Sequence, residues 1–207
     1  MWVELDHDGR ADPHAGCGNS VENRHEQGIL RVTLVPASAS SAVAAKAEEL
    51  AAQAIAALNG VGVFCVELFE TRGGDLLINE IAPRPHNSGH LTIEGAVTSQ
   101  FEQQVRAVCG LGLGSTDLCA PGAAMVNLLG DLCAEGSPDW SQVLDEPAAH
   151  LHLYGTPAPR PGQKVGHITV AGRSPTAAVS KARQARNRLA PKRPPAPRAG
   201  APATEST

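Results

Sequence analysis

Aromatic residues are scarce in this 207-residue chain: three Phe, two Trp and one Tyr, 3% of the total. Any core must therefore rest on Ala, Val, Leu and Ile, and the 42% hydrophobic content can supply them. No apolar run approaches the ~18 residues of a membrane-spanning helix, so no such helix is expected. The opening residues, MWVELDHDGR, are acidic and lack an apolar stretch, so a secretory signal is not expected. The five cysteines (Cys17, Cys65, Cys109, Cys119, Cys133) are odd in number and contain no CxxC pair. That argues against a disulfide framework or a zinc knuckle, and for reduced thiols in a cytoplasm. No internal repeat is present.

Net charge is −4, but the balance is uneven. Seven of the 17 basic residues and one of the 21 acids lie from Lys181 onward. The body is therefore strongly acidic, which argues against a nucleic-acid groove. The basic Pro/Ala-rich tail, residues 191–207, has little to bury and reads as a disordered, solvated segment.

Hydrophobic periodicity outlines the elements. MWVELDHDGR is short and pairs, on this reading, with ILRVTLVPA; ADPHAGCGNS between them is turn chemistry. Ser40 to Leu58 carries Val43, Ala47, Leu50, Ala51, Ala54, Ile55 and Leu58 at helical spacing, and Asn59-Gly60 supplies a stop. VGVFCVELFE reads as a strand covered on both faces, Arg72-Gly73-Gly74-Asp75 as a turn and DLLINEIA as the return strand. A helix is expected from Thr98 to Leu111, capped by Ser99 and Glu102, with Phe101, Val105 and Val108 on its buried face. GLGLGSTDLCAPG reads as a helix stop and a boundary between subdomains. Its glycines do not sit between a strand and a helix opening, so it is not a phosphate loop. AAMVNLLG then reads as a strand, SPDWSQVLDE as a short helix, HLHLYG and KVGHITVAG as a strand pair, and Pro175 to Leu189 as a closing helix. His150 and His152 alternate on one strand face and read as core or surface packing residues.

Glu67 and Glu80 are the most informative pair. Each sits in an apolar strand, where a lone carboxylate is costly to bury. If Gly73-Gly74 is the centre of a two-residue hairpin loop, paired positions sum to 147, as 67 and 80 do. The two carboxylates then face each other with Cβ atoms about 4.5–5.5 Å apart. Such a pair calls for a cation between them, and oxygen donors suit Mg²⁺ or Mn²⁺, with Asn79 offering one more oxygen. A shared proton, or ion pairs with Arg31 or Arg84, would also relieve the repulsion, and the spacing leaves these open. The following loop, Pro83-Arg84-Pro85-His86-Asn87-Ser88-Gly89-His90, gathers a guanidinium, two imidazoles, an amide and a hydroxyl. It reads either as a polar surface loop or as an oxyanion site, and its place beside the carboxylates favours the site.

VENRHEQGILR, GVGVFCVELF, NEIAPRPHNSGHLTIEGAVTSQFEQQVRAVCGLGLG, AAMVNLLGD, HLHLYG and KVGHITV follow one another here. In that order they resemble the C-terminal part of the PurK family, the ATP-grasp 5-(carboxyamino)imidazole ribonucleotide synthases. The resemblance spans about residues 20 to 185. It implies an α+β fold: the antiparallel-sheet half of an ATP-grasp domain over 1–113, then a small β-rich PurK-type subdomain over 114–190. It implies ATP- and bicarbonate-dependent carboxylation of aminoimidazole ribonucleotide through carboxyphosphate, in purine biosynthesis. Glu67 and Glu80 match metal-binding acids, and Asn79 with Glu80 the contacts to ATP and metal. His25 matches a nucleotide-contacting histidine, and Arg84, His86 and Asn87 the residues that hold bicarbonate and substrate.

The departures from the family pattern also shape the expectation. The family's N-terminal Rossmann-like domain and its phosphate-clamping lobe have no counterpart in this sequence. The family's substrate-phosphate Lys and Arg are replaced by Thr156 and Gln163, leaving Arg160 and Lys164 as the nearby candidates. Three roles follow: an enzyme half that retains metal and nucleotide affinity, a non-catalytic binding or dimerisation module, or a split-gene product. The family homodimer, an N-terminal half supplied in trans and exposed apolar surface with self-association are further expectations.

Overall fold

The computed structural model describes residues 2–5 and 20–189. Cys17, most of the ADPHAGCGNS turn and the basic tail lie outside the described residues. In chain order the first strands are β1 (Trp2–Leu5), β2 (Glu22–Glu26) and β3 (Ile29–Val35), followed by helix α1 (Ser41–Leu58). The hairpin β4 (Gly62–Glu70) and β5 (Leu76–Ala82) comes next, then α2 (Thr92–Gly95) and α3 (Gln100–Val108). Strands β6 (Gly122–Leu129), β7 (Ala149–Leu153) and β8 (Lys164–Gly172) precede the last helix, α4 (Pro175–Arg188). The expected α+β class is correct. One sheet has the order β1-β4-β5 and the other β2-β3-β6-β8-β7, and every pairing is antiparallel.

Strand β6 is the middle of the larger sheet, and all eight of its residues are buried. Its Ala-rich run lets α4 pack close on one face through Ala178, Val179, Ala182 and Ala185. On the other face Ala123 and Met125 meet Val35 and Leu91. Residues from both sides of position 114 thus share one sheet. Segment 110–121 is tied back to the helices before it: Val97 donates to the Asp117 carbonyl and Cys119 to the Gly95 carbonyl.

Helix α1 begins where Ser40 accepts from the Val43 amide at 3.3 Å. It ends where Asn59 adopts a left-handed conformation, φ 49°. Ala47, Ala51 and Ile55 are buried against Phe64 and Val66 of β4. The buried stripe is narrower than the periodicity implies, because one small sheet covers it and Leu58 is exposed.

Four local expectations need correction. Strand β1 pairs with β4, not with β3, since β2 and β6 occupy both edges of β3. Strand β4 is covered on both faces only as far as Val66; Phe69 is 61% exposed. The hairpin loop is wider than two residues, closing where Thr71 N–H donates to the Asp75 carbonyl at 2.8 Å. Finally, Phe101, Val105 and Val108 of α3 are exposed, and Gln100, Gln103 and Ala107 are buried instead. The α3 inversion has a chemical cause. Gln103 holds both the N–H and the C=O of Gly114 at 2.8 Å, and Gln104 accepts the Val63 N–H at 2.7 Å. The inward face is chosen by backbone groups that need partners.

Candidate functional site

Glu67 on β4 faces Glu80 on β5. The ladder shifts at that point: Leu68 pairs with Ile78, so Asn79 is one extra residue in β5. The bulge turns the Asn79 amide toward Glu67, with Nδ2 3.5 Å from Oε2. From the next loop His86 brings Nε2 to 3.8 Å from Glu67 Oε1. Potential ligand atoms of Glu67, Glu80 and His86 all lie within 4.8 Å of one another. The arginines considered as partners are engaged elsewhere: Arg31 lies 3.9 Å from Glu26, and Arg84 donates to the Pro85 carbonyl. Among the described residues neither forms an ion pair with Glu67 or Glu80. Two facing carboxylates form an oxygen donor pair that fits a hard divalent cation, with the Asn79 side chain alongside.

The loop carrying His86 is fixed from two sides. Gln100, at 1% exposure, accepts the His86 N–H and donates to the His86 carbonyl, both at 2.9 Å. Its Nε2 is also 2.8 Å from Nδ1 of His90. Asn87 exchanges amide hydrogen bonds of 3.1 and 2.7 Å with Asn127 on β6, and Asn127 also donates to the Leu30 carbonyl. The loop is thereby pinned to both α3 and the larger sheet. Burial pushes the His86 pKa down, against the pull of Glu67. His90 falls to about 4, chiefly through burial.

Glu67, Glu80 and His86 open onto a cleft of about 750 Å³ between the two sheets, lined also by His25, Asn79 and Lys164. Lys164 is half-buried at the start of β8; burial lowers its pKa while Glu67 raises it. Six of the residues singled out in the sequence therefore meet around one space. Arg84, Asn87 and Arg160 are not on its lining. The Arg84 charge still bears on His86 and Lys164. The backbone of Arg160 closes a turn with Gln163, and Thr156 lines a different pocket, beside Trp140 and Val165.

Two family models match the chain: the ATP-grasp domain over residues 11–101, and the phosphoribosylaminoimidazole carboxylase C-terminal domain over 123–181. The chain is 49% identical over 150 residues to N5-carboxyaminoimidazole ribonucleotide synthase of Bacillus subtilis, covering 72% of this chain and 38% of that protein. The chain belongs to the PurK family of ATP-grasp proteins. The crystal structure of the Thermus thermophilus N5-carboxyaminoimidazole ribonucleotide synthetase matches with a TM-score of 0.72 and 50% identity, over 84% of this chain and 46% of that one. The Aspergillus clavatus N5-carboxyaminoimidazole synthase, solved with ADP and 5-aminoimidazole ribonucleotide, matches with a TM-score of 0.72 and 36% identity, over 82% and 46%. The chain thus spans less than half the length of these relatives.

In this PurK-family chain several residues near the site escape a reading of the sequence alone. Beyond Gln100 and Asn127, a group of rings lies behind the His86 loop. His152 stacks on His167 at 4.4 Å, and His90 lies 5.3 Å from His167. Tyr154 Oη lies 2.9 Å from His167 Nδ1, and Glu94 is 2.7 Å from His152 Nε2. Burial pushes the Tyr154 phenol up to about 12 and the His167 imidazole down to about 3. Asn127 in AAMVNLLG and His167 in KVGHITV carried the same signal as Glu67: a polar residue inside an apolar strand. His152 is half-buried in this ring group and His150 is exposed on the surface.

Proposed function

We propose that this chain is the metal- and nucleotide-binding part of an N5-carboxyaminoimidazole ribonucleotide synthase. The observation that carries the reading is the convergence of Glu67, Asn79 and Glu80 with His25, His86 and Lys164 on one cleft. Glu67 and Glu80 would hold Mg²⁺ or Mn²⁺, with Asn79 oriented by the β5 bulge. When bound, the metal supplies charge neutralisation for the phosphates of ATP. His25 contacts the nucleotide. His86 holds bicarbonate and orients it toward aminoimidazole ribonucleotide, with Arg84 and Asn87 supporting it from off the cleft lining, and Lys164, with Arg160 farther off, meets the substrate phosphate. The chain is cytoplasmic, and among the described residues no helix is long and apolar enough to cross a membrane.

The residues present span less than half the length of the relatives they match; on this reading that half is inactive by itself and works with an N-terminal half of the PurK type, in the same protein or in trans. The exposed apolar stripe of Phe101, Val105 and Val108 supports a second reading, in which the chain serves chiefly to dock, as in a family homodimer. Calorimetric titration with Mg-ADP separates the two. Binding that Glu67→Gln and Glu80→Gln both abolish supports the nucleotide site. No binding by a folded wild-type chain removes it and leaves the docking reading or a product without its own activity.

A further inference from the structure

His86 has two ring nitrogens, and its surroundings decide which one carries the proton. The backbone N–H of Ser88 is directed at Nδ1, 3.4 Å away, so the ring caps the short turn Asn87–Gly89. An amide N–H can only donate, so Nδ1 presents its lone pair. Ser88 Oγ lies 2.8 Å from the same nitrogen. With Nδ1 accepting, the hydroxyl is the donor, and Oγ accepts from the Cys65 thiol at 3.6 Å. Ser88 is 0% and Cys65 2% exposed, so water does not compete for these bonds. In a neutral imidazole the proton is then on Nε2, the nitrogen 3.8 Å from Glu67 Oε1.

We propose that Ser88 is a positioning residue that holds His86 as its Nε2–H tautomer, so that His86 enters the cleft as a hydrogen-bond donor to an oxyanion and not as a third metal ligand. This deepens, and rests on, the reading of the cleft as a metal, nucleotide and bicarbonate site. The two roles exclude each other, because a ligating nitrogen needs its lone pair. The Nδ1–H form that would free Nε2 for a metal loses the bond from the Ser88 amide, and keeps the Ser88 hydroxyl contact only by reversing it together with the Cys65 contact behind it. A fixed donor beside the carboxylate pair stabilises negative charge on an oxygen held there without turning the ring.

The test is a long-range ¹H–¹⁵N correlation spectrum of the whole chain labelled with ¹⁵N-histidine, without metal or nucleotide. His86 is assigned by the signals lost in His86→Gln. The expected result is an unprotonated Nδ1 and a protonated Nε2; an Nδ1–H form, or an equal mixture, overturns the proposal. Ser88→Ala keeps the amide of residue 88 and loses the hydroxyl, so it is expected to move the Nδ1 signal with Nε2 still protonated, and an unchanged spectrum removes the Ser88 side chain from the role. Should Ser88→Ala fail to fold, a Mn²⁺ titration of the other variants decides the second half. His86→Gln is expected to keep affinity within a few-fold, against a loss of about 10-fold or more for Glu80→Gln. Equal losses overturn the donor role. Absence of Mn²⁺ binding in the wild type, with the Nε2–H tautomer present, overturns the functional reading and leaves the tautomer assignment standing.

Discussion

Glu67 faces Glu80 because β5 carries one residue more than β4 at that point. Counting back from the Thr71–Asp75 loop, a regular ladder would set Glu67 opposite Asn79. The bulge takes up Asn79, restores the carboxylate pair and brings the amide to the same side as both acids. A regular strand sends neighbouring side chains to opposite faces, so three oxygen-bearing side chains at 67, 79 and 80 need this irregularity.

Facing like charges cost stability when no cation is between them. Glu80→Gln is expected to raise the stability of the metal-free chain by about 0.5 kcal/mol. The same change is expected to weaken Mn²⁺ binding by about 10-fold or more. Urea unfolding and calorimetry read the two effects separately. A variant that loses stability in the absence of metal would show that the pair is not repulsive.

Gln103 and Val105 reverse the usual expectation for a helix. Val105→Ser, on the exposed face, is expected to change stability by no more than about 0.5 kcal/mol. Gln103→Leu leaves the N–H and C=O of Gly114 unpartnered and is expected to cost about 1–3 kcal/mol. Denaturation midpoints for the two variants in the opposite order would contradict the packing of α3.

The buried imidazoles make the chain sensitive to mild acid. His90 sits at about 4 and His167 at about 3, against an ordinary 6.5, with burial the first cause in both. Below about 6.5 the unfolded chain binds protons that the native chain refuses, so stability falls as pH drops toward about 4. Carboxylates held below their usual range, such as Glu22, lose their contribution only below about 4.5. The urea midpoint is therefore expected to fall already between about pH 6.5 and 5, and less steeply in His167→Asn. A flat profile there would mean that the ring cluster is open to water in solution.

Gly166 allows β7 and β8 to approach. A Cβ at this position would meet the carbonyl oxygen of His152. Gly166→Ala is expected to cost about 1–3 kcal/mol by forcing the strands apart. It should also change the ring-current shifts of the His152–His167 stack, which proton spectra report. A variant with unchanged stability and shifts would contradict this strand spacing.

The local elements were legible because their signals are local. Ser40 and Asn59 bound α1 through side-chain capping and a left-handed turn. Alternation and apolar runs marked β4, β6 and β8. The polar loop after Glu80 stood out by composition. The facing of Glu67 and Glu80 was also legible, although the count that predicts it assumes a two-residue loop. A wider loop and a compensating bulge arrive at the same pairing.

The sequence by itself determined which segments are helix and strand, and which carboxylates could share a cation, because both follow from backbone preference and short-range spacing. Only the tertiary structure decided which face of α3 is buried, since the partners of Gln100, Gln103 and Gln104 lie up to 41 residues away. It alone brought His25 from β2 and Lys164 from β8 to the carboxylates. It alone set the hydrogen bonds around the His86 ring. Contacts between distant segments depend on how whole elements pack and on which buried polar groups still lack partners, and neither is written in local spacing.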